Sequence, residues 1–350
     1  MSQQTMMGAV LPGNSTVEFK EFPIPHPGQG EVLVRTRASA ICGSDIRAIY
    51  REHLGKGPEK YQGVICGHEP CGEIVECGPG MKQFKVGDRV VLYHISGSGI
   101  SHDSRMGYMI SCPSPHRKAY GWQRDGGMAP YILAEEKDLV LLPDELTFLD
   151  GAQVACGFGT AFEGLERIGI DGKHAVLVVG LGPVGLAALM LARCLGANQL
   201  IGIDLDEERM ALARNLGLAD ATVKAGPNAV EEVRELTRGR GCERTVDCSG
   251  SAPGRLTAIQ CTRQWGKVVF IGEGGRVEFE PSRDIIHDQI SIHGSWVTSI
   301  WRMEDLVELL VRWNVHPEDL VSHKFNLAQA ADAYRLMASG KCGKVAVVFD

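Results

Sequence analysis

Between residues 10 and 150 the apolar positions come in short runs broken by Gly, Pro and Asp. Glu31-Val32-Leu33-Val34-Arg35, Gly72-Glu73-Ile74-Val75-Glu76 and Val86-Gly87-Asp88-Arg89-Val90-Val91-Leu92-Tyr93 are examples. Runs of this length with turn residues between them predict an antiparallel, β-rich domain. Residues 94–126 carry Ser, Gly, His, Arg and Met without apolar period, which predicts a long excursion from the surface of that domain. Past Pro143 the texture changes. Continuous apolar strands such as Ala175-Val176-Leu177-Val178-Val179 alternate with helical stretches such as Pro183 to Leu195, whose Leu186, Leu189, Met190 and Leu195 fall near one face. Strand–helix alternation predicts βαβ units around a parallel sheet. Further strands read at Leu200–Ile203, Thr245–Asp247, Lys267–Ile271, Ser291–Gly294 and Lys344–Phe349, and further helices at 207–216, 303–313 and 327–338.

The chain has 350 residues, which at about 150 per domain suggests two. Lys and Arg number 36 against 43 acids, a net charge of −7, so no basic face is on offer for nucleic-acid phosphates or anionic lipid. No apolar run approaches the roughly 20 residues that a membrane helix needs. Met1-Ser2-Gln3-Gln4 shows no basic segment leading into an apolar one, so a cytoplasmic chain is expected. Eleven cysteines without a secretory signal argue against a disulfide framework. Most of them, Cys194, Cys248 and Cys261 among them, sit between apolar or small neighbours and read as buried hydrophobes.

Gly180-Leu181-Gly182-Pro183-Val184-Gly185 is G-x-G-x-x-G. The pattern is weak in a glycine-rich chain, but here it follows an apolar strand and opens a helix. Asp204 then closes the next strand, near the spacing of about 20 residues that such units use. Gly180 permits a tight turn, Gly182 lets the backbone approach a pyrophosphate, and Gly185 lets helix and strand pack closely. The helix N-terminus favours the negative charge. The Asp204 carboxylate suits two ribose hydroxyls and repels a 2′-phosphate, which favours NAD over NADP. Gly180, Gly182, Pro183, Val184, Gly185, Asp204 and Arg209 form the expected cofactor-binding set.

Cys42-Gly43-Ser44-Asp45, Gly67-His68-Glu69 and the distant Cys156 together supply two thiolates and an imidazole. That is a Cys₂His set of the kind found in catalytic zinc sites, which leaves one tetrahedral position open. Zinc lowers the pKa of a bound hydroxyl to roughly 7, so an alcohol can lose its proton near neutral pH.

Residues 42–45, Gly67-His68-Glu69-x-x-Gly72, Val86-Gly87-Asp88-Arg89-Val90, Asp125-Gly126-Gly127 and the Gly180–Gly185 turn with Asp204 occur in an order that resembles the zinc-dependent medium-chain alcohol and polyol dehydrogenases. Leu327-x-x-Ala330-Ala331-x-Ala333 and Gly343-Lys344-Val345 extend the likeness to the C-terminal end, so it covers nearly the whole chain. The resemblance implies an α/β architecture: a GroES-like β-rich catalytic domain over 1–153, a Rossmann domain with a doubly wound parallel sheet over 154–298, and a completing segment of the catalytic domain over 299–350. By position it implies Cys42, His68 and Cys156 as catalytic zinc ligands, and Glu69 as a carboxylate able to join them. Asp45 matches the group that orients the ligand histidine, as such imidazoles usually require. Ser44 matches the hydroxyl that bonds the substrate alcohol and passes on its proton. Relatives of this build form dimers or tetramers, so a homodimer or homotetramer is expected; the apolar Val297–Trp301 region with Trp296 is a candidate contact.

Two places depart from the family pattern. Where many members hold a structural zinc on four cysteines spaced C-x2-C-x2-C-x7-C, this chain has Ser98, Ser101, Ser104 and Cys112. Neutral serine is a poor ligand for zinc, so a single zinc per subunit and a free Cys112 are expected; His102, Asp103 and His116 nearby read as surface residues. The lobe is then held by packing or a neighbouring subunit, or it moves. Where many relatives place a relay histidine, this chain has Arg47, leaving His53 or a path through Ser44, ribose and water. His94, Tyr50 and Arg47 are the expected pocket residues. Their polarity suits a polyhydroxy substrate, a polyol, cyclitol or sugar oxidised from secondary alcohol to ketone, because buried polar groups left unpaired are costly. A zinc-free quinone or enone reductase on the same fold and a non-catalytic nucleotide-binding protein are the alternatives.

Overall fold

Two compact units make up the computed structural model: Met1–Gly159 together with Ser299–Asp350, and Thr160–Thr298. Residues 4–350 are described; residues 1–3, on which the reading of the N-terminus partly rests, lie outside them. The division falls after Gly159, later than the 153/154 boundary drawn on the sequence. Phe148–Gln153, Val154–Phe158 and Gly159–Ile168 run on as one helical stretch, so the chain passes from one unit to the other inside a helix.

The first unit is built on a seven-stranded sheet. Its path runs Val321–Phe325, Lys344–Val348, Glu31–Ile41, Glu69–Cys77, Arg89–Leu92, Leu139–Leu141, with Tyr131–Glu135 also paired to Glu31–Ile41. Only the first of these pairings is parallel. Alternation sets the two faces. Val32, Val34, Ile74, Val90, Leu92 and Ile132 form one buried cluster. Ile41, Ile46, Ile49, Tyr50, Tyr334 and Val345 belong to another. Each such side chain contributes about 1.5–3 kcal/mol when fully buried. The glycine in Gly67-His68-Glu69-x-x-Gly72 has a packing reason: a Cβ on Gly72 would lie 2.0 Å from the Arg35 carbonyl oxygen across the ladder.

The central strand Glu31–Ile41 draws distant parts of the chain together. Ala40 pairs with Glu69 on one side, and Ile41 pairs with Val345 on the other. Three separate stretches of sequence, around 42, 68 and 344, therefore meet at one end of the sheet.

The excursion over 94–126 is less irregular than its composition predicts. Ile95–Ser96 pairs with Lys118–Ala119, with helical turns at His102–Arg105 and Met109–Ser111 between them. Met109, Ile110, Cys112, Ala119 and Tyr120 are buried, so packing within the first unit holds it.

In the second unit six parallel strands, β1 (Ala175–Val179), β2 (Gln199–Asp204), β3 (Ala221–Lys224), β4 (Cys242–Asp247), β5 (Thr262–Phe270) and β6 (Ser291–Gly294), lie in the order β3-β2-β1-β4-β5-β6. Helices α1 (Pro183–Cys194), α2 (Glu207–Asn215), α3 (Ala229–Leu236) and α4 (Ala252–Gln260) connect the first five. The order reverses between β1 and β4, which is where open α/β sheets bind ligands at the carboxyl ends of their strands. Val176, Leu177, Val178, Leu200 and Ile201 are all buried, as continuous apolar runs in a two-sided sheet require.

Candidate active site

Cys42 comes directly off the end of Glu31–Ile41. Its N–H donates to Asp45 Oδ2 at 2.9 Å, which closes the short turn Gly43–Asp45. Glu69 opens the neighbouring strand and His68 stands just before it, after Gly67, whose φ of +87° suits glycine. Cys156 sits in the π-helical turn Val154–Phe158, a distortion that often occurs at functional positions. The two sulfurs are 4.0 Å apart, and one ligand atom from each of Cys42, His68, Glu69 and Cys156 lies within 4.8 Å of every other. This is the one such cluster among the described residues.

Each charge in the cluster has a partner. Asp45 Oδ1 accepts from His68 Nδ1 at 2.7 Å, with both groups buried. That bond fixes the imidazole and leaves Nε2 turned to the cluster, free to meet a metal ion. Burial alone would lower the His68 pKa, but the Asp45 carboxylate raises it well above the usual histidine range. The Cys156 thiol holds the Cys42 thiol well below its ordinary value and is itself pushed up by the same contact. Glu69 is buried, which pushes its carboxyl up to about 7 against the opposing pull of Lys344. The Lys344 ammonium sits 2.8 Å from Oε1 and 2.6 Å from Oε2 of Glu69 and is itself buried.

These donors fit zinc. A tetrahedral ion with Zn–S near 2.3 Å and Zn–N near 2.0–2.1 Å holds its ligands roughly 3.5–4 Å apart, which matches the spacing of the two sulfurs.

His94 is buried beside the cluster, its ring centroid 5.1 Å from that of His68. Burial, then the neighbouring His68, lowers its pKa to about 3, so the ring is neutral. Nδ1 donates to the Ala155 carbonyl at 2.9 Å, leaving Nε2 as an acceptor. Tyr50 requires a correction. It packs into the apolar core with Ile46, Ile49 and Tyr334, its ring centroid 5.5 Å from that of Tyr334, because the turn Ile46–Tyr50 points this face inward. Arg47 is exposed on the same turn. His53 is tied by Nε2 to the Leu11 carbonyl at 2.8 Å and lies against Tyr61, which commits it to structure. Ser44 is half-buried, two residues beyond Cys42.

The sequence reading placed Lys344 only in a strand and a C-terminal motif, not at the site, and it missed Trp122, whose ring centroid is 5.1 Å from that of His68. The signal for Lys344 was present: it is a charged residue opening Lys344–Val348, a strand buried almost throughout.

At the cysteine-poor lobe, Ser98, Ser101 and Ser104 surround Cys112. The Ser98 N–H and the Ser101 hydroxyl donate to Cys112 Sγ at 3.4 Å, and Cys112 donates to Ser98 Oγ at 3.3 Å. Hydrogen bonds occupy the place where a four-thiolate site holds metal.

In the second unit the turn after β1 is shaped by close approach. Gly180 has φ +93°, and a Cβ there would lie 2.8 Å from Ser249 N. A Cβ on Gly185 would lie 1.8 Å from the Gly180 carbonyl oxygen. A Cβ on Gly182 would meet nothing within 4 Å. The first turn of α1, with Pro183 and Val184, has no side-chain cap, so its N–H groups are available to an anion. Asp204 Oδ2 accepts from Leu181 N at 2.6 Å and Oδ1 from Asp206 N at 2.9 Å, which aims the carboxylate at the turn. Arg209 Nη1 is 3.7 Å from Asp204 Oδ2. The open space at Gly182 beside uncapped N–H groups fits a dinucleotide pyrophosphate.

Family patterns match both units: the alcohol dehydrogenase GroES-like domain over residues 28–144 and the zinc-binding dehydrogenase domain over 183–312. The zinc-type alcohol dehydrogenase-like protein YphC of Escherichia coli K12 is 52% identical over 99% of each chain. A sorbitol dehydrogenase of Halalkalibacterium halodurans is 30% identical, covering 95% of this chain and 96% of its own. Among solved structures, a zinc-binding dehydrogenase of Sinorhizobium meliloti 1021 bound to NADP superposes with a TM-score of 0.87 at 26% identity, over 99% of this chain and all of that one. A thiol-and-imidazole cluster in one unit, a dinucleotide turn in the other and relatives matched end to end make the chain a member of the zinc-dependent medium-chain dehydrogenases, enzymes that use a nicotinamide cofactor.

Proposed function

We propose that the chain oxidises a secondary alcohol of a polyol, cyclitol or sugar to the ketone with NAD, or runs the reverse. The observation that carries this reading is the convergence of Cys42, His68 and Cys156 on one point with Glu69 beside them. A zinc ion held there supplies a Lewis acid that makes a substrate hydroxyl acidic near neutral pH. NAD held at the Gly180–Gly185 turn supplies the hydride acceptor.

The chain's own residues do the rest. Ser44 accepts a hydrogen bond from the substrate hydroxyl and relays its proton onward through the ribose and water. Asp45 keeps His68 in one tautomer. Lys344 neutralises Glu69, so that a thiolate and a carboxylate do not stand unopposed in a buried site. His94, neutral and with Nε2 left as an acceptor, receives a hydrogen bond from a second substrate hydroxyl, which favours polyhydroxy compounds over simple alcohols. Asp204 accepts from the ribose hydroxyls and disfavours a 2′-phosphate. The NADP bound by the Sinorhizobium structure makes cofactor preference a point for direct measurement. All eleven cysteines are unpaired, which suits a reducing, cytoplasmic setting. The edge strand β6, with Ile292 and Ile286 exposed nearby, suits pairing into a homodimer or homotetramer.

The test is a panel of polyols, cyclitols and sugars offered with NAD and with NADP. The expected result is reduced-nicotinamide absorbance with a polyhydroxy alcohol, faster with NAD. Turnover confined to simple aliphatic alcohols, or to enone reduction with NADPH, contradicts the proposal.

A further inference from the structure

At the end of the Rossmann sheet opposite the Gly180–Gly185 turn lies a groove of about 370 Å³. Its lining leads into three successive strands: Arg234 and Arg240 before β4, Thr262, Arg263 and Gln264 opening β5, and Asp288 before β6. The strands are parallel, so this groove stands at their amino ends while the dinucleotide turn follows the carboxyl end of β1. A five-residue strand separates the two levels by roughly 17 Å.

Three guanidiniums meet here in a chain of net charge −7. Arg263 is committed to Glu243 at 2.7 Å. Arg234 makes only a 3.4 Å contact with the Gln260 carbonyl, and the Arg240 guanidinium has no hydrogen bond or ion pair among the described residues. Trp265 follows Gln264 in the chain, next to the lining residues. It is 69% exposed and holds φ +62°, a conformation that costs every side chain except glycine. Its N–H is fixed by the Asp288 carbonyl at 2.9 Å. An exposed aromatic kept in strained backbone next to a groove with one uncommitted and one weakly held guanidinium is poorly explained by packing.

We propose that this groove is a second, non-catalytic binding site for a small phosphorylated molecule bearing hydroxyls and a planar ring. Arg234 and Arg240 grip the phosphate, for which the planar guanidinium fork is well matched. The Asp288 carboxylate accepts from a hydroxyl, and Trp265 stacks on the ring. A nucleoside monophosphate carries all three features.

Calorimetric titration of adenosine monophosphate, and separately of inorganic phosphate, into the zinc-loaded enzyme saturated with NAD tests this, because NAD blocks the dinucleotide turn. The expected result is binding of both by the parent, weakened by about tenfold or more in Arg234→Ala/Arg240→Ala, since each arm removes a charged hydrogen bond. Phosphate binding should tighten in Asp288→Asn, which removes the competing charge. Alcohol turnover of these variants should match the parent, which separates this site from catalysis and shows that the fold is intact. No binding by the parent, or equal affinity in the double variant, overturns the proposal. If the double variant fails to fold, Arg240→Gln and Asp288→Asn, with opposite expected effects on phosphate affinity, decide it alone.

Discussion

The Lys344 ammonium and the Glu69 carboxylate are buried together, so removing either leaves the other charged and unsolvated. Replacing one member of such a pair costs about 3–5 kcal/mol, whereas replacing both with neutral groups costs far less. Lys344→Met should therefore lower stability by about that amount in urea denaturation, and Lys344→Met/Glu69→Gln should recover most of it. Equal losses in the two variants would mean that the contact contributes nothing. Asp45 acts one bond further out. Asp45→Asn keeps the shape of the Asp45–His68 contact but not its charge, and such changes cost about 10–100-fold in metal affinity. Competition with a chromogenic chelator measures it.

The clustered thiols and imidazole were legible at this scale because their chemistry is rare and its spacing is recognisable. Lys344 was not, since it reaches Glu69 only through sheet register: Val345 pairs with Ile41, and Ala40 pairs with Glu69. Tyr50 was misplaced for a related reason. Nearness in sequence to Cys42 says nothing about which side of a distorted helical turn faces the core.

Among the elements, the turn between β1 and α1 separates two glycine roles. A Cβ at Gly185 would strike the Gly180 carbonyl, so Gly185→Ala should lower both thermal stability and cofactor affinity. A Cβ at Gly182 meets nothing in the chain itself. Gly182→Ala should leave the thermal midpoint within a degree or so while weakening NAD binding about tenfold or more, as a methyl group intrudes on the pyrophosphate. Parallel measurement of melting and of cofactor fluorescence titration distinguishes them. The βαβ rhythm was visible because long apolar strands alternate with amphipathic helices. The helical run over 148–168 was not, because Gly151, Gly157 and Gly159 disguise it and a π turn breaks its period. In the 94–126 excursion the buried side chains are too scattered to show a period.

For the molecule as a whole, pH acts through pairings made only on folding. His316 Nδ1 lies 2.8 Å from Asp150 Oδ2, which raises the histidine pKa above its ordinary value. A raised folded value means that this contribution is complete below the unfolded pKa of about 6.5 and is lost as pH climbs through the folded one. The thermal midpoint of the parent should fall more between pH 6 and 9 than that of His316→Gln; the difference is small because the side chain is 35% exposed. No helix among the described residues is long and apolar enough to cross a membrane.

Metal content is the most direct test of the account. Elemental analysis of the purified parent should find a single zinc per chain, because Cys42, His68 and Cys156 can hold one and the Ser98–Cys112 lobe cannot. Cys42→Ala should contain none and oxidise no alcohol, while still binding NAD. Two zinc ions per parent chain, or a Cys42→Ala protein that keeps its metal and its turnover, would contradict it.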